Sequence, residues 1–221
     1  MPSKPFRRIL LAALAALTLT AAVALFPAGT AEAAGAAAPG PMKNNPNDHI
    51  RPVVDSKYYC VIVDKETQVT SVLRQDANGE YTIIDRQFLC STGVPPRTSP
   101  GIFKMSMKQR WLYSPPKNGR PLSFEPFAIC FNRPIWFHGT VYDKRDPNTL
   151  ETDSYQNLGQ PVSAGCVRHC VRDAKWLYVN CPAGTVVKVV KSGGPAPICV
   201  EPLPELPAGA TYDPTDPSVT R

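Results

Sequence analysis

Short apolar and β-branched runs, each broken by turn-forming residues, fill the middle of this 221-residue chain. Tyr58–Val63, Val69–Leu73 and Tyr81–Ile84 are rich in residues that suit a pleated, half-buried surface. Asn78-Gly79 lies between the last two and predicts a type I′ hairpin turn, because both residue types accept positive φ. Phe88–Cys90 and Ile102–Met107 predict further strands. Phe127–Phe131 and Ile135–Phe137 flank a break at Asn132-Arg133-Pro134, and Val186–Val190 follows a turn at Ala183-Gly184. One helix is predicted, from just after Cys166 to about Val179. Ala174, Trp176, Leu177 and Tyr178 supply its apolar side, Asp173 suits its first turn, and Pro182 and Gly184 stop it. Short strands with frequent turns predict a mainly β domain, a β-sandwich or barrel-like core with a short helix after Cys166.

The two ends read differently. Lys4, Arg7 and Arg8 precede the apolar run Ile9–Phe26, and Ala31-Glu32-Ala33 offers small residues for cleavage. Residues 1–33 are therefore expected to be a signal peptide, with an uncleaved membrane anchor as the alternative. Residues 34–56 form a Pro, Ala and Asn-rich linker, 57–191 the domain, and 192–221 a tail with seven prolines from Pro195 to Pro217. The tail is expected to be disordered or tied down only at Cys199. Cleavage removes three basic residues and one acidic one, lowering the formal charge from +6 to +4. That mild bias suits an anionic surface such as a cell wall, and a secreted, wall or periplasmic location follows from export. No basic run is interleaved with aromatics, so nucleic acid is excluded as a partner. No later segment is expected to span a membrane after signal cleavage, and a monomer is expected.

Seven cysteines are present: Cys60, Cys90, Cys130, Cys166, Cys170, Cys181 and Cys199. Oxidising surroundings favour pairing, and an odd count leaves one thiol over. Cys166 has a reason to be that thiol. It follows Ser163-Ala164-Gly165, precedes Val167-Arg168, and is expected where a loop turns into a helix. Unpaired N–H groups at such a start would stabilise a thiolate or an oxyanion. His138 ends the apolar segment Pro134-Ile135-Trp136-Phe137, and Gly139 lets the chain turn away, so His138 is the candidate base. His169 is the second candidate, and a satisfied core histidine is the plain alternative for His138. The N–H groups of Gly165 and Cys166 are candidate oxyanion donors, and Arg168 offers a planar fork for a carboxylate. A zinc site from Cys166, His169, Cys170 and Cys181 has poor spacing, and neither metal nor cofactor is expected.

The segments His138-Gly139-Thr140 and Ser163-Ala164-Gly165-Cys166-Val167-Arg168 together resemble the catalytic motif of the L,D-transpeptidases, the YkuD-type domain. Ser91-Thr92-Gly93 and Thr98-Ser99-Pro100-Gly101-Ile102-Phe103 resemble two further family segments, and Asp173-Ala174, Leu177 and Gly184–Val187 its closing helix and strand. The resemblance spans about residues 57–191. It implies Cys166 as nucleophile, His138 as base, and the Gly139 carbonyl as orienter of the imidazole. It implies oxyanion or substrate contacts from Gly165, Ser163, Arg168 and Thr140. The partners it implies are peptidoglycan stem peptides, with covalent inhibition by carbapenems. Peptidoglycan cross-linking through a thioester is the expected reaction. The alternatives are L,D-carboxypeptidase trimming, a cysteine peptidase, or a non-catalytic wall-binding module. Two departures stand out: Ala164 occupies a position where many members carry a second histidine, and the polar loop 141–162 is longer than usual, serving either as a lid or as an exposed loop. The extra cysteines imply a disulfide-supported variant.

Overall fold

The computed structural model describes residues 58–117, 119 and 121–219; the signal peptide expected over 1–33 and the linker expected over 34–56 lie outside the described residues. The architecture is mainly β, with two mixed sheets. The larger runs β3 (Tyr81–Leu89), β2 (Val69–Gln75), β1 (Tyr59–Asp64), β9 (Val186–Val190) and β4 (Gly101–Lys104). The smaller runs β5 (Lys108–Ser114), β6 (Ser123–Asn132), β7 (Ile135–His138) and β8 (Val167–Arg168). Two helices complete the fold, α1 (Thr152–Gln156) and α2 (Val171–Asn180). Each sheet contains one parallel pair, β1 with β9 and β7 with β8.

Alternation in β1 and β9 shows why the sheets face each other. Tyr59, Val61 and Val63 are buried on β1, and Val187 and Val189 on β9, with Val61 beside Val187 and Val63 beside Val189. These side chains meet Ile129, Phe131, Phe137 and Val167 of the smaller sheet and Leu177 of α2 in one core cluster. Each such fully buried side chain contributes about 1.5–3 kcal/mol. A second cluster joins Phe127 of β6 and Val171 and Ala174 of α2 to Tyr142, Leu150, Tyr155 and Leu158. The loop 141–162 is thus a lobe that carries its own helix and packs onto β6 and α2 through these side chains, rather than an exposed loop.

Several local expectations are revised. The expected strand Ile102–Met107 stops at Lys104 as β4, with Met105 buried just beyond it, and a separate strand, β5, begins only at Lys108. Tyr81–Ile84 and Phe88–Cys90 merge into one strand that carries two register shifts against β2. The turn at Asn78-Gly79 is not a two-residue type I′ turn. Only Gly79 has positive φ, and the loop from Asp76 to Glu80 is organised by the Asp76 carboxylate, which accepts from the N–H groups of Asn78 at 2.8 Å and Glu80 at 3.0 Å. The C-terminal tail is tied down along its length. Gln87 of β3 donates to Ala196 O at 2.8 Å and accepts from the N–H groups of Ile198 and Cys199. Tyr155 Oη donates to Pro204 O at 2.7 Å, and Leu150 N donates to Thr211 O at 2.8 Å.

The expected disulfides are absent, since all seven cysteines are free thiols. Cys90, Cys130, Cys170 and Cys181 are buried, and there a thiol packs as a small apolar group. Burial pushes the Cys90 and Cys181 thiols up to about 12. Parity among cysteines therefore does not single out Cys166; its place in the fold does. Among the described residues no helix is long and apolar enough to cross a membrane.

Candidate active site

β7 and β8 bring the two halves of the motif together. They pair in parallel, with Phe137 beside Val167 and His138 beside Arg168. Side chains alternate along a strand, so His138 and Arg168 share one face, and Cys166, two residues before Arg168, leads onto the same face. Phe137, Val167 and His169 occupy the opposite, core-facing side, where the Phe137 and His169 rings lie 5.8 Å apart. His169 is fully buried, with Nε2 2.9 Å from Thr70 Oγ1. The second candidate base is a core residue.

A strand, not a helix, follows the cysteine. β8 intervenes, and α2 begins only at Val171 with Cys170 as its N-cap. The expected helix-start stabilisation of the Cys166 thiolate therefore has no geometric basis. Burial pushes the Cys166 thiol up to about 11, against a smaller opposing effect of the Arg168 charge. Burial, together with Arg168, pushes His138 down to about 3, while its bond to Gly139 acts the other way. Burial thus favours the neutral form of both the Cys166 thiol and the His138 imidazole. His138 Nδ1 lies 2.6 Å from Gly139 O. A carbonyl only accepts, so Nδ1 carries the proton and Nε2 keeps the lone pair that a base requires. Gly139 is itself held where a side chain would not fit, since a Cβ there would stand 2.9 Å from Pro126 Cγ.

The loop before Cys166 is held by close backbone approach. Gly165 has φ of +137°, a conformation open to glycine. A Cβ on Gly93 would meet Gly165 Cα at 2.7 Å and Gly165 N at 2.9 Å. Thr98 Oγ1 donates to Gly165 O at 2.6 Å and accepts from Gly93 N at 2.8 Å, and Arg97 Nη1 donates to Ala164 O at 3.2 Å. Ser163 is buried within the same loop. It accepts from Gly165 N at 3.0 Å and donates to Cys166 O at 2.6 Å. The Gly165 N–H is thus engaged inside the loop, whereas the Cys166 N–H has no acceptor among the described residues.

Thr140 is fully buried and donates to Asp213 Oδ2 at 3.0 Å, away from any open surface. Arg168 is half-buried, with Nη1 3.4 Å from Ser154 O of α1. Its main chain exchanges two bonds with Ser91. Glu125 of β6 is buried at the same sheet end and accepts from Ser114 and Ser123, each at 2.9 Å. Burial raises its carboxyl, and the two hydroxyls and Arg168 oppose that rise. Gly93 and Thr98 carried a signal in the sequence, since they lie in segments set beside the main motif, whereas Arg97 lies between those segments and carried none. Glu125 and Asp213 carried none. Among the described residues no group of three His, Cys, Asp or Glu side chains is placed to hold a metal ion.

A family model for the L,D-transpeptidase catalytic domain (YkuD) matches residues 58–189. YciB of Bacillus subtilis (strain 168), provisionally named an L,D-transpeptidase, is 25% identical over 139 residues, covering 62% of this chain and 69% of that protein. The solved L,D-transpeptidase LdtMt1 in complex with imipenem is 22% identical with a TM-score of 0.48, over 60% of this chain and 59% of that one. An L,D-transpeptidase from Mycobacterium smegmatis is 16% identical with a TM-score of 0.48, over 60% and 58%. This chain therefore spans less than two thirds of either solved chain. With more than half its length matched, and the motif assembled on β7 and β8, the chain belongs to the YkuD family of L,D-transpeptidase catalytic domains.

Proposed function

We propose that the protein forms peptidoglycan cross-links by acyl transfer through Cys166, on tetrapeptide stems. The observation that carries this reading is the parallel β7–β8 pairing, which sets His138 beside the strand that leaves Cys166, with its Nδ1–H bound to Gly139 O. In the proposed reaction the Cys166 Sγ proton passes to His138 Nε2 as sulfur attacks the carbonyl of the third stem residue. Because thiol and imidazole are both neutral at rest, proton transfer accompanies attack rather than preceding it. The developing oxyanion is met by the Cys166 N–H. Collapse breaks the amide bond, and the leaving amine of the terminal D-residue takes the proton from His138. A thioester remains. An acceptor amine from a neighbouring stem gives its proton to His138, attacks the thioester, and expels the thiolate, which is reprotonated. Arg168 matches a carboxylate on the diamino acid.

The test is a disaccharide tetrapeptide offered with and without an amine acceptor. D-residue release and a cross-linked product are read by mass spectrometry. Release without product would identify water as the acceptor and make the protein a carboxypeptidase. Cys166→Ala is expected to reduce release by several orders of magnitude. It is also expected to abolish the one-inhibitor mass gain from a carbapenem, the class to which the imipenem bound in the LdtMt1 structure belongs. Unchanged release in Cys166→Ala would sink the mechanism. We also place this activity outside the cytoplasm, on the pattern of residues 1–33; a secreted protein whose N-terminal residue is Ala34 is the expected finding.

A further inference from the structure

The tail beyond the matched domain carries a carboxylate into the protein interior. Asp213 is fully buried, 73 residues from Thr140 and 42 from Val171. Its Oδ2 accepts from Thr140 Oγ1 at 3.0 Å and from Val171 N at 2.9 Å, and its Oδ1 accepts from Thr215 N at 2.7 Å and Thr215 Oγ1 at 2.6 Å. Thr215 Oγ1 in turn accepts from Arg172 N at 3.2 Å. The first turn of a helix has N–H groups without partners. Cys170, the N-cap of α2, offers no side-chain cap, and the tail supplies it from a distance.

The two groups that Asp213 holds are not arbitrary. Thr140 lies two residues after His138, where the chain leaves β7. Val171 lies five residues after Cys166, where the chain leaves β8 and enters α2. Those exits are otherwise joined by the bond from His169 N to His138 O at 2.9 Å. We infer that Asp213 is a positioning residue of the active site: its carboxylate clamps the chain leaving His138 to the chain leaving Cys166, so that the C-terminal tail sets the spacing of base and nucleophile. This rests on the acyl-transfer reading above. The geometry asks for an acceptor that two donors share, and a buried carboxylate oxygen has the two lone-pair directions to serve both.

The test compares Asp213→Ala, Thr140→Val, their double variant, and Thr140→Ser in the full chain. Thr140→Val is nearly isosteric and removes only the hydroxyl that Asp213 accepts from, so it keeps the inference testable if Asp213→Ala fails to fold. Two readouts are taken. One is kcat and KM for D-residue release. The other is the rate at which iodoacetamide modifies Cys166, resolved by peptide mass spectrometry. We expect Asp213→Ala to lower kcat by about 10²-fold, the scale of a 1 Å misplacement of a reacting pair, with KM little changed. Thr140→Val is expected to lose about tenfold, and the double variant no more than Asp213→Ala alone. Thr140→Ser, which restores the hydroxyl, should recover most of the loss. Cys166 modification should quicken in the same order, because a loosened site buries the thiol less, at temperatures where circular dichroism shows each variant folded. Wild-type kinetics in folded Asp213→Ala and Thr140→Val, or losses that merely follow the unfolded fraction, would overturn the clamp. If the wild type itself releases no D-residue, the transfer reading fails, and Cys166 modification still decides the clamp.

Discussion

At the scale of single residues, burial outweighs charge at the reaction centre. An exposed thiol beside a protonated histidine would be an ion pair, but here His138 is buried and Cys166 half-buried, and desolvation favours the neutral form of each. Cys166 is pushed up to about 11 and His138 down to about 3. The thiolate fraction at neutral pH is therefore small. We expect Cys166 modification by iodoacetamide to rise about tenfold per pH unit from pH 7 to pH 10, with no plateau near neutrality, because the reagent follows the thiolate population. Peptide-resolved alkylation rates check this, and a plateau by pH 8 would show an ion pair instead. Cys166, His138, Gly139 and Arg168 stood out in the sequence as candidates because the proposed acyl transfer would restrict residue type there: a nucleophile, a base, a carbonyl behind the base, and a charge. Ser163 and Thr140 were legible as motif members, but their bonds point into the protein, to Cys166 O and Asp213. A hydroxyl is as useful for holding a loop as for holding a substrate, and sequence does not separate the two.

At the scale of elements, the segment from Ser91 to Gly101 acts as the mould for the nucleophile loop. It touches that loop by backbone approach at Gly93 and by the bonds of Thr98 and Arg97. Adding a methyl group at Gly93 would press against Gly165 Cα and N, which are backbone atoms and yield only if the loop shifts. Gly93→Ala is expected to cost about 1–3 kcal/mol of stability, as overpacked sites do. It should also lower kcat more than that loss of stability explains. Urea titration beside turnover at saturating substrate measures both; full activity in a folded Gly93→Ala would show the contact to be slack. Strand identity was readable wherever β-branched and aromatic residues alternate, as in β1, β2 and β9. β5 was missed because its half-exposed edge sequence, Lys108–Ser114, carries little apolar signal. β8 was missed because a two-residue strand exists only through its partner β7. α1 was missed because five polar-rich residues form a helix only when Ser154 and Tyr155 are buried by a neighbouring lobe.

At the scale of the whole molecule, buried ionisable groups govern the response to acid. His138 and His169 are both held near 3 in the folded protein, against an ordinary value of 6.5, chiefly by burial. Arg168 adds to this at His138, and at His169 the wall is Phe88, Phe137 and Thr70 with His138 beyond. Below pH 6.5 the unfolded chain binds protons that the folded one refuses, so stability falls with pH from 6.5 toward 3. Each histidine contributes a slope of about 1.4 kcal/mol per pH unit within that window. Glu125, Asp173 and Asp213 act with the opposite sign, since burial raises them from ordinary values of 4.5, 3.8 and 3.8. Urea midpoints are expected to drop between pH 6.5 and pH 5, and His169→Gln should halve the slope; an unchanged slope would place the acid sensitivity elsewhere. The sequence by itself determined the β-rich core, through alternation, and marked Cys166 and His138 as the candidate pair, through residue types that few other roles demand together. Only the tertiary structure decided what long-range contact decides: that Cys90, Cys130, Cys170 and Cys181 pack as core thiols, that a strand follows Cys166, that loop 141–162 packs onto β6 and α2, and that a proline-rich tail carries a buried carboxylate between Thr140 and Val171. The physical reason is range, because periodicity and motif spacing report on neighbours along the chain, whereas burial and hydrogen-bond partnership across 73 residues are properties of the packed molecule alone.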